Sequence, residues 1–417
     1  MRGRFDAPGR LRVCDSAYSL GMQPCVLLKF GEIVLKGRNR AVFYAQLRKN
    51  VLRRVRAVEQ VELRQRGGVL ALVPADGTED LLERARDVLG VTLLHPAMIV
   101  EHTPAAACDA AVELLRGKQG DTFAVRARRR DKSFQLTSHE LAALVGRAVQ
   151  DELGLGVDLG DPDLEIHLEV DRQEIFAYTD RIPGRGGLPV GVSGRALVLI
   201  SGGIDSPVAA YRAMKRGLRC DFVHFSGRPF TGPESIYKAY AQVARLDRFQ
   251  GGSRLFVVPF GQAQRELATA GAGRLQVLAQ RRLMVRVAAE LARRERAEAL
   301  VTGDSLGQVS SQTLQNLGVV ERAASLPLLR PLLAWDKAEI VREAEEIGTF
   351  ELASLPAEDC CQLFASPHAE TRAESERLER IEGRLELGDT IDGLLAAAEL
   401  VRPRLERKPA AGLILAG

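Results

Sequence analysis

One segment constrains the fold of this chain more than any other: an apolar strand pattern that runs directly into a glycine turn and a helix. Residues Ala196–Ile200 are all apolar, Ser201–Ser206 read SGGIDS, and Pro207 opens a helical pattern. Glycines allow backbone N–H groups to approach a phosphate closely, and a helix N-terminus adds partial positive charge. In an open α/β sheet such a turn lies at the carboxyl end of a strand, where ligands bind. The segment therefore predicts a phosphate site, with Asp205 beside Mg²⁺ or a reacting group.

The residues after this turn alternate between helix and strand patterns. Strands are predicted at Ala196–Ile200, Cys220–Phe225, Arg254–Pro259 and Ala299–Thr302, and helices at Pro207–Arg216, Glu234–Arg248, Ala263–Ala270, Leu275–Arg294 and Lys337–Ile347. Strands that are separated by helices form a parallel, doubly wound sheet. Residues 370–405 have the pattern of charged helices. We expect residues 183–417 to form one α/β domain around the glycine turn.

The first half of the chain predicts two smaller domains, since 417 residues are too many for one core. Residues 22–76 follow a strand–helix–strand–strand order, which indicates a small α+β domain. Residues 77–182 alternate helices and strands as an α/β module does. Residues 1–21 are predicted to be a weakly structured extension, and the Gly- and Pro-rich stretch 183–194 marks the boundary to the second half.

Composition indicates an ordinary globular protein, with 46% hydrophobic and 27% charged residues. No apolar run reaches the roughly 18 residues of a membrane span, and residues 1–21 lack the core of a signal peptide, so we expect a cytoplasmic location without membrane contact. The six cysteines include no CxxC pair, which argues against structural zinc or an iron–sulfur cluster, and no protein metal site is predicted. The adjacent Cys360 and Cys361 are either reactive or simply buried.

Positive charge is concentrated in two segments. Residues 1–60 carry 13 Lys and Arg against 4 Asp and Glu, and residues 116–147 carry 8 against 3. Such clusters can neutralise phosphates, although one cluster alone is more often a solvated basic face. Aromatic residues make up only 5% of the chain, so the sequence predicts no stacking platform for bases.

The glycine turn resembles the PP-loop signature of ATP pyrophosphatases, which cleave ATP between the α- and β-phosphates and adenylate their substrates. It differs from the GxxxxGK[ST] loop used for γ-phosphate transfer. The simpler interpretation is an Asx turn that caps a helix, but the six-residue match at a strand–helix junction favours the pyrophosphatase.

Further segments resemble the tRNA 4-thiouridine synthetase family, in the form without a rhodanese domain. They are Lys29–Arg40, Val125–Phe134 within a THUMP-like stretch, Val301–Leu317, Arg330–Ile340 and Glu358–Phe364. The resemblance covers about residues 22–364. It implies an N-terminal ferredoxin-like α+β domain, an RNA-binding THUMP domain and a PP-loop ATP pyrophosphatase domain.

The resemblance and the glycine turn together predict the site residues. ATP contacts are expected from Leu199, Ile200, Ser201, Gly202, Gly203, Asp205, Ser206, His224, Phe225, Arg281, Gly303 and Gln312, with Mg²⁺ as the accompanying ion. Catalytic roles are expected for Asp205, Lys337, Cys360 and Cys361. Lys337 stands at a helix start, where a cation is unfavourable, so it is either a phosphate contact or an exposed lysine paired with Glu339 or Glu343.

The family chemistry implies two steps: adenylation of the uracil O4, which the resemblance places at position 8 of tRNA, and attack by a persulfide on Cys360 or Cys361. The sequence does not distinguish the two cysteines. No cysteine follows Cys361, so a separate cysteine desulfurase is the expected sulfur donor, and the case for a role in thiamine thiazole formation is weakened. A homodimer is a further expectation.

The candidate tRNA contacts are Lys36, Arg38, Arg40, Arg128, Arg129, Arg130 and Lys132, which would position RNA through its phosphates. Two other interpretations stay open at this point. The chain could be another PP-loop enzyme, such as a 2-thiolating or lysidine-forming tRNA enzyme or an amide-forming ligase, or a tRNA-binding protein with an inactive nucleotide site.

Overall fold

A computed structural model describes residues 21–55, 61–66, 68–74, 78–356, 363–366 and 368–404. The chain divides after Gly187 into two compact units. This division lies inside the Gly- and Pro-rich stretch 183–194; the finer domain boundaries at 21/22 and 76/77 stay predictions. The described residues include no helix long and apolar enough to cross a membrane.

The first unit is built on a nine-stranded sheet with the order β2-β3-β1-β4-β8-β7-β5-β6, in which β9 also pairs with β4. Its strands are β1 (Gln23–Lys29), β2 (Val61–Arg66), β3 (Val69–Pro74), β4 (Leu93–Glu101), β5 (Thr122–Arg129), β6 (Gly156–Val157), β7 (Leu164–Val170), β8 (Glu174–Tyr178) and β9 (Ile182–Pro183). Strand β1 pairs antiparallel with β3 and with β4, so that Val26 lies opposite both Leu72 and Pro96. The strands of the two predicted N-terminal domains therefore form one continuous sheet.

The α-helices among the described residues of this unit are α1 (Arg40–Val55), α2 (Glu79–Arg86), α3 (Pro104–Leu115) and α4 (Ser138–Leu153). Helix α4 begins with a capping box, in which the Thr137 hydroxyl accepts from the Glu140 N–H and the Glu140 carboxylate accepts from the Thr137 N–H. Apolar residues of α1 such as Leu47 pack with Leu28 and Leu72 of the sheet. Burial of each such side chain favours folding by about 1.5–3 kcal/mol.

The second unit contains the predicted doubly wound sheet, with the strand order β14-β13-β10-β11-β12-β15. The strands are β10 (Arg195–Leu199), β11 (Arg219–Ser226), β12 (Leu255–Pro259), β13 (Ala299–Val301), β14 (Leu328–Leu329) and β15 (Glu399–Val401). The first five are parallel to their neighbours, whereas β15 pairs antiparallel with β12. The sequence analysis predicted only helices over residues 370–405, and this was wrong at β15. A strand of three residues at the edge of a sheet is too short to show a periodic pattern, so only its pairing with β12 identifies it.

The helices of this unit are α5 (Asp205–Lys215), α6 (Glu234–Gln250), α7 (Gly261–Thr269), α8 (Gln276–Arg294), α9 (Leu314–Glu321), α10 (Lys337–Glu346), α11 (Phe350–Ala353), α12 (Ser375–Glu382) and α13 (Leu387–Ala396). Helix α5 begins two residues before the predicted start at Pro207. Proline is tolerated there because N–H groups in the first turn have no intrahelical partner. The earlier start places Asp205 in the first turn of the helix.

Candidate active site

The glycine turn after β10 is held in shape by its own two serines and by one buried glutamine. The Ser201 N–H donates to the Ser206 Oγ at 2.9 Å, and the Gly203 N–H donates to the Ser201 Oγ at 3.2 Å. From α6, the fully buried Gln242 donates to the carbonyl oxygens of Gly202 and Gly203 at 3.2 and 3.1 Å. The turn is therefore a fixed structure, as a preorganised phosphate site requires.

Gly303, which follows β13, packs directly on the start of α5. A Cβ atom at this position would lie 2.6 Å from the Ser206 backbone nitrogen and 2.8 Å from the Asp205 carbonyl carbon. Backbone atoms cannot yield at such distances, so any larger residue would push the glycine turn away from β13. This close approach explains why glycine stands here.

A cavity of about 640 Å³ opens beside the glycine turn, at the carboxyl ends of β10, β11 and β13. All twelve residues predicted to contact ATP line it, together with the apolar side chains of Val277, Met284, Val285 and Val320. A cavity of this size, with apolar walls and a few convergent polar groups, is typical of a small-molecule site. Their individual roles as ATP contacts stay predictions.

Asp304, which lies in the cavity wall, is a buried carboxylate that organises several side chains of the site. Its Oδ1 accepts hydrogen bonds from Arg281 and, at 3.3 Å, from the Gln312 amide. Its Oδ2 accepts from the Thr302 hydroxyl at 2.9 Å and from Arg330 at 3.3 Å. Burial alone would raise the pKa of Asp304, but the Arg281 guanidinium and the other donors hold that pKa below its usual value. Two of the predicted ATP contacts, Arg281 and Gln312, are therefore oriented by one carboxylate.

Asp205 and Lys337 meet at the site, although 132 residues separate them in the sequence. The Lys337 ammonium donates to the Asp205 Oδ1 at 2.6 Å, and the Gln308 amide donates to the Oδ2 at 3.0 Å. Lys337 thus pairs with neither of the helix glutamates considered above. Glu339 instead forms a capping box with Asp336 at the start of α10, which offsets the placement of a cation at this helix terminus.

A second contact holds α10 in register with α5. Arg212, two turns beyond Asp205, forms an ion pair with Glu343 of α10. Its guanidinium also lies over the Trp335 ring, 4.2 Å from the centroid. Helices α5 and α10 therefore contact each other at two positions, through the Asp205–Lys337 pair and through the Arg212–Glu343 pair.

His224 lines the cavity, but its imidazole is tied into the fold. The ring is 2% exposed. Its Nδ1 lies 3.0 Å from the Ile200 carbonyl oxygen, and its Nε2 lies 3.2 Å from the Ser235 hydroxyl. These two hydrogen bonds join β10, β11 and α6 through His224, and its expected contact with ATP stays a prediction.

Cys360 and Cys361 lie outside the described residues, but the described residues on either side of them border the cavity. Ala353 lines it on one side of the segment and Ala365 on the other. Lys238, which also lines the cavity, donates to the Ala353 and Leu355 carbonyl oxygens at 2.9 and 2.6 Å. Both flanks of the cysteine-bearing segment thus border the cavity that opens beside the glycine turn.

The predicted tRNA contacts in the first unit fall into two groups. Arg38, Arg40, Arg128 and Lys132 are exposed, and Lys36 is half-buried with its ammonium 5.4 Å from the Phe43 ring centroid. Arg129 instead donates to the Phe134 and Leu136 carbonyl oxygens. Arg130 pairs with the buried Glu169, which also accepts from Lys29 and from the Tyr178 hydroxyl.

These internal contacts show that Arg129 and Arg130 support the basic segment from within the unit.

The sequence analysis did not include Asp304, Gln308, Arg330 and Lys238 among the residues of the site. Asp304, Gln308 and Arg330 lie within the family-like segments 301–317 and 330–340, and Asp304 also follows a strand at the ligand-binding edge of the sheet, whereas Lys238 carried no signal.

Comparisons with known proteins agree with this arrangement. Family models match three parts of the chain: "ThiI ferredoxin-like domain" over residues 25–94, "THUMP domain" over 106–180 and "Thiamine biosynthesis protein (ThiI)" over 191–387. These matches and the parallel sheet confirm the predicted fold class.

Two relatives and one solved structure illustrate the similarity. A "Probable tRNA sulfurtransferase" of Nocardia farcinica is 50% identical over 387 residues, 91% of this chain and 94% of the relative. One of the same name from Thermus thermophilus is 41% identical over 384 residues, again 91% and 94%. A crystal structure described as a "4-thiouridine synthetase - RNA complex with bound ATP" superposes with a TM-score of 0.85 at 31% identity, covering 91% of this chain and 99% of that one.

Proposed function

This chain belongs to the tRNA sulfurtransferase family, and we propose that it converts a uridine of tRNA to 4-thiouridine in an ATP-dependent reaction. The observation that carries the proposal is that the glycine turn, Asp205 and Arg281 line one cavity and that Lys337 is paired with this Asp205. A relative of similar fold was solved with both RNA and ATP bound. The position of the base, uridine 8, comes from the resemblance.

In the first step the uracil O4 attacks the α-phosphorus of ATP and pyrophosphate departs. The adenylated oxygen is then a good leaving group. The glycine turn would bind the phosphates through its N–H groups, and Lys337 would stabilise the negative charge that develops on the α-phosphate. Asp205, which accepts the Lys337 ammonium at 2.6 Å, holds that cation in position.

Mg²⁺ fits this site as a partner of the triphosphate. The described residues contain no group of three side chains able to hold a metal on their own. Magnesium is commonly bound by one or two carboxylates together with substrate phosphates, and Asp205 is the carboxylate that would hold it here. When bound, the ion would neutralise phosphate charge.

In the second step the outer sulfur of a persulfide on Cys360 or Cys361 attacks C4 of the activated base. AMP departs with the former O4, and the other cysteine thiol then attacks the remaining sulfur–sulfur bond, so that the cysteines end as a disulfide that a cellular thiol reduces. The flanks of the cysteine segment border the cavity, which supports this route. The sulfur donor would be a cytoplasmic cysteine desulfurase.

The first unit would hold the tRNA through its exposed basic residues. Arg38, Arg40, Arg128 and Lys132 can contact phosphates, while Glu169 keeps Lys29 and Arg130 in fixed positions. Binding of this kind depends on salt and is largely independent of sequence.

Mass analysis of nucleosides tests the function directly. Unmodified tRNA is incubated with the protein, ATP and a persulfide source, then digested, and 4-thiouridine is the expected product. A 2-thio product would instead identify a different PP-loop enzyme. Absence of both thiolation and AMP formation would favour a tRNA-binding protein with an inactive nucleotide site.

A further inference from the structure

Two partly exposed aromatic rings, those of Phe230 and Phe364, are not part of the cavity lining, although Phe364 directly precedes Ala365 and Ser366, which line it. Phe230 is 39% exposed and Phe364 is 42% exposed. Their ring centroids are 5.4 Å apart with an interplanar angle of 83°, so the edge of one ring meets the face of the other. The Arg265 guanidinium lies 5.5 Å from the Phe230 centroid. We refer to the two rings as the aromatic pair.

Phe230 is held by a tight turn that follows β11. The Phe230 N–H donates to the Gly227 carbonyl oxygen at 2.8 Å. Gly261, the first residue of α7, packs so closely on this turn that a Cβ there would lie 2.4 Å from the same oxygen. The turn is therefore fixed at the carboxyl edge of the sheet, the edge at which the cavity opens.

Phe364 is held with a backbone conformation that side chains other than glycine rarely adopt. Its φ angle is +59°, in the left-handed region, where a bulky residue persists only when its surroundings impose it. The preceding Leu363 carbonyl oxygen accepts from the buried Gln280 of α8 at 2.9 Å, and the following Ala365 and Ser366 line the cavity. Such conformations concentrate at ligand-binding sites.

We infer that the aromatic pair and Arg265 form the stacking site for the target uracil of tRNA, an inference that rests on the proposed function. A base leaves the RNA stack before an enzyme can modify it, and aromatic rings and guanidinium planes replace the lost stacking. Exposed Arg228 and Arg265 add positive charge for the neighbouring phosphates.

Location supports a uracil over any other base of the tRNA. Phe364 is joined through Ala365 and Ser366 to the cavity wall, and the opposite direction along the chain leads to the cysteine-bearing segment. A base on the aromatic pair would therefore lie next to the cavity wall, at a residue only three positions after Cys361 in the sequence. The sequence does not predict the pair, because 134 residues separate its members.

AMP formation without any sulfur donor tests the inference, since this step needs correct placement of the base alone. We expect Phe230→Leu and Phe364→Leu each to lower kcat/KM for tRNA by roughly 5- to 100-fold, the effect of losing one base–aromatic stack. The Kd for ATP should be unchanged, which also verifies folding. Phe364→Tyr should retain activity, and Tyr237→Leu, which removes another exposed aromatic ring, is the matched control.

Loss of thiolation with normal AMP formation would overturn the inference and identify the pair as a docking site for the sulfur donor. Activity equal to the unaltered protein in both leucine variants would also overturn it. If the unaltered protein itself makes no thiolated tRNA, the proposed function fails instead, so the two failures are distinguishable.

Photocrosslinking gives an independent result. The 4-thiouracil base reacts under near-ultraviolet light with groups in contact with it, so product tRNA is irradiated in complex with the protein and the crosslinked peptides are sequenced. We expect the peptides that contain Phe230 or Phe364. Crosslinks confined to other parts of the chain would contradict the assignment.

Discussion

Two carboxylates, those of Asp304 and Asp205, line the cavity, and the structure uses them differently. Asp304 is 4% exposed and accepts from two guanidinium groups, an amide and a hydroxyl. The Asp205 side chain is 23% exposed and accepts from one ammonium and one amide. Asp304 is thus fully surrounded by protein donors, whereas Asp205 is still reachable from the cavity.

This difference separates a residue that positions other side chains from one that is accessible to a ligand in the cavity. A buried carboxylate with fixed donors stabilises the folded protein and orients those donors. A half-buried carboxylate with donors from a loop and a helix start can exchange or share them when a ligand enters. We therefore expect changes at Asp205 to alter chemistry and changes at Asp304 to alter stability as well.

The largest effect is expected from Asp205→Ala. Loss of the carboxylate releases Lys337 and removes the candidate Mg²⁺ contact, so AMP formation should fall by at least about 10²- to 10³-fold, the usual effect of losing one electrostatic contact to a transition state. The Kd for tRNA should remain nearly the same. Labelled ATP and a tRNA binding assay measure the two quantities. AMP formation within a few-fold of normal would remove Asp205 from the chemistry.

Asp304→Asn should mainly destabilise the protein. The change leaves the Arg281 and Arg330 guanidinium groups without their shared counterion, and breaking a buried ion pair costs about 3–5 kcal/mol. Urea denaturation should show that loss, and ATP binding should weaken because Arg281 is no longer held. Asp205→Asn is the matched control and should change the free energy of unfolding far less. Equal losses in the two variants would erase the distinction between the carboxylates.

The pH dependence of stability is a further test of the role of Asp304. The pKa of Asp304 is lowered in the folded protein. The ionised carboxylate therefore stabilises the fold fully above the pKa that Asp304 has in the unfolded chain, about 4. That effect is lost as the pH falls through the lower folded pKa. The difference in unfolding free energy between the unaltered protein and Asp304→Asn should therefore be constant near neutral pH and shrink in acid. A difference that stays constant down to the acid transition would contradict the assignment.

Much of the cavity could be predicted because its signals are local in the sequence. The apolar run of β10, the SGGIDS turn and the helix after it define a phosphate site within fifteen residues. The family resemblance then supplied Arg281, Gly303 and Gln312, and all three line the cavity. Strand periodicity likewise predicted the parallel sheet.

What the sequence could not supply were contacts between distant segments. Gln308 and Asp205 are 103 residues apart, and Arg330 reaches Asp304 from the loop after β14. Arg130 is turned inward because it pairs with Glu169 of β7. The sequence alone therefore could not show which arginines of residues 128–130 are exposed and which make internal contacts. Such pairings follow from strand order and helix register, which single-segment patterns do not encode.

The smallest effect is expected at Gln308, the second donor to Asp205. Gln308→Met keeps the side-chain length and removes the amide, so Asp205 would be held on one side only. A half-exposed hydrogen bond contributes about 1 kcal/mol net, so kcat for AMP formation should fall roughly fivefold while the KM for ATP stays the same. Gln315→Met is the control, because its amide donates to the Ala373 carbonyl oxygen away from both carboxylates. If the two variants behave alike, Asp205 does not depend on a second donor, and Lys337 alone sets its position.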